Sequence, residues 1–84
     1  MVIVLFADCS HIQIKGILAE DISGVVTILG TVSRWISAEE HNLSVHQLEL
    51  VCIAWVYQEF EDVLGQQSVI LYSDYKGTDS TYVL

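Results

Sequence analysis

The chain has no proline, and only 17 % of its 84 residues are charged. Both scarcities exclude a disordered segment, which is rich in proline and charge and poor in apolar side chains. Long apolar runs are missing as well. The opening one, residues 1–7, stops at Asp8, too short to span a membrane and without the basic cluster of a signal peptide. Cysteine is sparse: Cys9 and Cys52 do not make a disulfide framework, so the chain reads as one from a reducing compartment, not secreted. The scarcest property is positive charge. Lys15, Arg34 and Lys76 stand against eleven acids, for a net charge of −8. A protein that grips nucleic acid unaided neutralises several phosphates with Lys and Arg. Any nucleic-acid role here must therefore rest on metal ions, on a basic partner, or on a region outside this sequence.

Apolar residues are plentiful, at 52 %. A chain of this length makes one small domain, burying about 60–65 % of its unfolded surface. Residues 2–7 form a continuous β-prone run, expected to be a strand covered on both faces. Residues 13–19 read as a second strand, residues 20–24 as a turn, and residues 25–32 as a third strand returning antiparallel. A polar stretch at 37–42 suits one helical turn. The sharpest element is a helix over 45–64: Ser44 and Gln47 form a capping box, Leu43 can staple to Leu48, and Gly65 suits the C-cap. Residues 68–72 read as a fourth strand, residues 76–79 as a turn, and residues 80–84 as the start of a further element. The order β-β-β-α-β implies an α/β fold with a mixed sheet and a helical crossover into a parallel pair.

Three carboxylates stand out. Asp8 shares a strand face with Val4 and Phe6, and Asp74 shares one with Ile70 and Tyr72, so each ends an apolar strand. Ligands gather at the carboxyl ends of parallel strands in such sheets. On a helical wheel Glu49 falls among Cys52, Ile53, Val56, Phe60 and Val63, on the packing face. A lone buried carboxylate costs several kcal/mol unless paired or bound to a cation. Turn-forming aspartates and a glutamate attracted by the helix dipole explain each acid singly. Together the three make an oxygen-rich cage suited to a hard divalent cation, or to a pair of them acting on a phosphodiester.

The segments SRWISAEEHNLS at 33–44 and ELVCIAW at 49–55 resemble the ribonuclease H domain of gypsy-type LTR retrotransposon polyproteins. FADCS at 6–10 is similar to that family's opening Asp-Ala-Ser strand end, and YSDYK at 72–76 to its later Thr-Asp-His-Lys element. The resemblance implies a ribonuclease H-like fold. It also implies metal-dependent hydrolysis of RNA in an RNA/DNA hybrid with Mg2+ or Mn2+, as part of a reverse transcriptase. Asp8, Glu49 and Asp74 match three of the family's four metal-binding carboxylates. The fourth, the last strand and the closing helices lie downstream in the family, so the resemblance implies a C-terminally truncated domain. His11 stands where the family often has another acid. Such a domain is expected inside the cell, in the cytoplasm, nucleus or a virus-like particle. With so much apolar surface it is expected to meet a protein partner or form a homo-oligomer, and no membrane. Two alternatives are a catalytically inactive ribonuclease H-like module retained for protein binding or assembly, and a structural protein unrelated to nucleic acid.

The remaining candidates are bland. His11, His41 and His46 with Cys9 and Cys52 fit no zinc spacing. Cys52 suits a small core position, Trp55 suits the core, and Trp35 is open to stacking on bases. Ser10 and Ser73 lack a base in triad order and have no nucleophile role.

Overall fold

The computed structural model describes residues 2–65, 67–75 and 78–83; side chains from residue 74 onward lie outside the description. The β-prone runs form strands β1 (Val2–Cys9), β2 (Gln13–Ile22) and β3 (Val25–Trp35). A 3-10 turn, η1 (Glu40–Asn42), leads into helix α1 (Val45–Leu64), followed by β4 (Val69–Tyr75) and β5 (Thr78–Val83). They make one mixed five-stranded sheet in the order β3-β2-β1-β4-β5, with β1 and β4 parallel and every other pair antiparallel. The α/β class and the β-β-β-α-β order therefore stand, with β5 added. Part of the expected turn at 76–79 is strand instead: Thr78 and Asp79 pair with Tyr75 and Asp74. Lys76 and Gly77 lie outside the described residues.

Local chemistry sets the boundaries. Ser44 caps α1 by accepting from the Gln47 N–H, while the Gln47 side chain accepts from the Ser44 N–H, as the capping box requires. Gly65 ends the helix at φ 59°, a left-handed value glycine adopts without steric cost. The β2–β3 turn is tighter than expected. Only Ser23 and Gly24 leave the ladder, both at positive φ, as in two-residue hairpin loops that match strand twist. β2 therefore extends three residues beyond the expected 13–19, and β3 runs three beyond the expected 25–32 at its far end, where Trp35 pairs with Gln13.

The core lies between the sheet and α1. Leu48, Cys52, Val56, Phe60 and Leu64 face inward from the helix against Ile3, Leu5, Ala7, Cys9, Ile14, Leu18, Val69 and Leu71. Val63, expected on the packing face, is exposed, because Leu48, Leu64 and the fourfold repeat between them define that face instead. At Gly16 the helix comes so close that a Cβ there would meet Val56 Cγ1 at 2.5 Å. Among the described residues no helix packs on the other sheet face, which corrects the expectation that β1 is covered on both sides. Phe6 is 39 % exposed there, stacked on Tyr72 across the parallel pair at 5.4 Å between centroids. Also among the described residues, no helix is long and apolar enough to cross a membrane.

Candidate functional site

Parallel pairing brings two of the three singled-out carboxylates together. Asp8 is the penultimate residue of β1, and its register partner on β4 is Asp74. Both strands run the same way, so these aspartates share the carboxyl end of the single parallel pair among the described strands. The register extends the row: Lys15 and then Ser33 lie beyond Asp8, and Asp79 of β5 lies beyond Asp74. The Asp8 residue is exposed. Acids on directly opposed strand positions repel, and a bound cation offsets that repulsion.

Glu49 approaches from the other layer. It lies in the second turn of α1, half-buried beside the inward-facing Leu48 and Cys52. Ala7 and Cys9, flanking Asp8, turn toward the helix, so Asp8 and Glu49 reach the strand end from opposite faces of the sheet. Among the described residues no three His, Cys, Asp or Glu side chains converge as a metal-ligand set. The Asp74 side chain is outside that description. The donor chemistry, carboxylate oxygen throughout, suits a hard divalent cation.

A covalent tie holds the two layers in place. Cys9 and Cys52 form a disulfide across 43 residues of chain, with Cα atoms 6.2 Å apart. This corrects the reading of the cysteines as unpaired, and their distance in sequence offered no signal for the bond. Cys9 follows Asp8 directly and Cys52 is three residues beyond Glu49, so the bond fixes both carboxylate-bearing segments to each other. Its occupancy follows the redox poise of the compartment; in a reducing one the same atoms are two buried thiols. Cys52 is fully buried, as a core residue should be.

The entry to α1 is set by charge. Arg34 at the end of β3 donates from both terminal nitrogens to Glu40, each at 2.7 Å, and its guanidinium lies 5.1 Å from the half-buried Trp55 ring. Glu40 also accepts from the Ser37 N–H at 2.9 Å. The Arg34 guanidinium, aided by that N–H, holds the Glu40 carboxyl down to about 2, and Glu40 in turn raises Arg34. Sequence spacing carried no hint of this pair, whose members are six residues apart. Of the other candidates, the Ser10 hydroxyl accepts from the Ile12 and Gln13 N–H groups and so builds the β1–β2 turn. Trp35 is 70 % exposed, and His11, His41 and His46 lie at exposed positions. Ser73 is buried on β4, and among the described residues its hydroxyl finds no hydrogen-bond partner.

Residues 2–82 match the model of the RNase H-like domain found in reverse transcriptase. No curated protein matches the chain. Among solved structures, the type II variant of the Aquifex aeolicus Ppx/GppA phosphatase is similar over 89 % of this chain, at a TM-score of 0.57 and 10 % identity. Two further structures of the Aquifex aeolicus Ppx/GppA protein match 86 % of the chain at TM-scores of 0.54 and 0.53 and identities of 15 % and 16 %. The chain spans 26 % of each of those proteins, and at these identities the likeness is one of fold.

Proposed function

The chain belongs to the family of RNase H-like domains found in reverse transcriptase, and from that premise we propose that it hydrolyses RNA in an RNA/DNA hybrid with Mg2+ or Mn2+. The reading rests on one observation: Asp8 and Asp74 are register partners at the carboxyl end of the parallel β1–β4 pair. In this reading Asp8 and Asp74 hold the ion, and Glu49 completes the oxygen donors from the helix side. The chemistry a divalent ion supplies in such a site is activation of a water and stabilisation of the leaving oxygen. Lys15, in register with Asp8, is placed to meet a phosphate of the bound strand. The domain works inside the cell, within a retroelement polyprotein.

The test is cleavage of a labelled RNA/DNA hybrid in Mg2+ and then Mn2+, with Asp8→Asn and Glu49→Gln beside the parent chain. Loss of a group that merely orients a metal ligand costs about 10–100-fold. Loss of a ligand itself should cost about 100-fold or more. Activity unchanged in both variants would overturn the assignment of the site.

One observation favours a second reading. Arg34 is committed to Glu40, so the few cations available for phosphates are fewer still. An inactive ribonuclease H-like module used for protein binding or assembly would show no cleavage from folded protein in either metal.

A further inference from the structure

Among the described residues, the outer edge of β3 has no partner. β3 is the terminal strand of the sheet and is 11 residues long. Natural proteins blunt such edges with proline, lysine or inward-pointing charge, because the unpaired N–H and C=O groups otherwise template a further strand. None of these devices is present here. The chain has no proline, residues 22–33 carry no charge, and Arg34 beyond them is neutralised by Glu40. The one irregularity is a bulge where the β2 register shifts between Leu18 and Ala19, leaving residues 25–28 as a regular segment beyond it. Three of its four residues are apolar and lie in solvent: Val25 is 66 % exposed, Val26 58 % and Ile28 62 %, the last two sharing one face.

We propose that two copies of this chain join edge to edge through β3, antiparallel about a two-fold axis, so that two five-stranded sheets continue as one. Charge selects the occupant. Each copy carries −8, so two copies repel wherever acids lie, and residues 22–33 are the longest stretch without a charge of either sign. Nucleic acid finds no cation on this edge, and a basic peptide finds no acid. A neutral strand with the same apolar pattern fits. The two-fold axis sets Val26 and Ile28 of each copy on the same sheet face, so the apolar rows continue from one copy into the next. This inference does not rest on the nuclease reading, because β3 contributes none of the three proposed metal ligands.

Light scattering and sedimentation of the full chain across the micromolar range should show the mass rise from one chain to two. Backbone amides of residues 25–28 should exchange more slowly as the dimer fills. Val26→Lys and Ile28→Lys place like charges across the two-fold axis and should raise the dissociation constant by about tenfold or more, with the circular dichroism of the parent retained. A single-chain mass at every concentration would overturn the proposal. So would a dimer indifferent to both substitutions, an open ladder of larger species, or amide exchange independent of concentration. Hybrid cleavage by the Ile28→Lys monomer, measured alongside, keeps the fate of this interface separate from that of the nuclease site.

Discussion

Strands β1 and β3 both draw on Val, Ile and Leu, yet they have opposite fates. β1 sits at the centre of the sheet with Leu5 fully buried beneath α1, and β3 sits at the edge with most of its side chains in solvent. At the centre, polar residues appear only where the strand ends, and there Asp8 meets Asp74. At the edge, Thr27, Thr31, Ser33 and Arg34 interrupt the apolar residues, yet Val25, Val26, Ile28 and Leu29 lie exposed where burial does not demand them. An apolar residue in a buried strand is explained by burial, whereas a contiguous apolar patch on a free edge calls for a further contact.

The largest expected effect separates the two regions by chemistry. Asp8→Asn should abolish hybrid cleavage while leaving the melting temperature within a few degrees, because an exposed aspartate in register with another acid adds little stability. A large fall in melting temperature would make Asp8 a structural residue. Next is the tie between layers. Reduction, or Cys52→Ser, releases a loop closed across 43 residues, worth about 4 kcal/mol by loop entropy. Equal denaturant midpoints with and without reductant would show the bond to be absent in solution.

Gly16→Ala probes the seam where α1 crosses β2. Its Cβ would press on the β-branched Val56, which cannot swing aside, so a loss of about 1–3 kcal/mol is expected in chemical denaturation. Smaller still is the Arg34–Glu40 pair. Because the folded-state Glu40 carboxyl is held down to about 2 from its usual 4.5, its stabilisation is complete above about pH 4.5. It is lost as pH falls from there toward 2. Glu40→Gln should cost about 1 kcal/mol at neutral pH and flatten that part of the pH–stability curve. An identical acid limb in parent and variant would sink the assignment.

Helix α1 was legible to the residue, because its capping box, staple and terminal glycine are local signals acting within one turn. Strand cores at Val4, Leu18 and Ile70 were legible from β propensity, whereas strand ends were not. Ladder pairing carried β2 to Ile22 through residues read as a turn, and β3 to Trp35. Of the candidate site, the three acids were visible as polar residues in apolar settings, and the resemblance chose the same three. Their arrangement was not visible: neither the direct Asp8–Asp74 register nor the approach of Glu49 from the opposite face follows from spacing. Asp79, read as part of a turn, proves to be in register with Asp74.

By itself the sequence determined what depends on neighbours along the chain: the helix and its caps, the apolar stretches that must pair, the shortage of cations, and the family to which the chain belongs. Tertiary structure decided which strand lies at the centre and which at the edge, that Cys9 meets Cys52, and that Arg34 is consumed by Glu40. Those outcomes depend on contacts between residues far apart in sequence, and only the packed sheet and helix bring such residues within bonding distance.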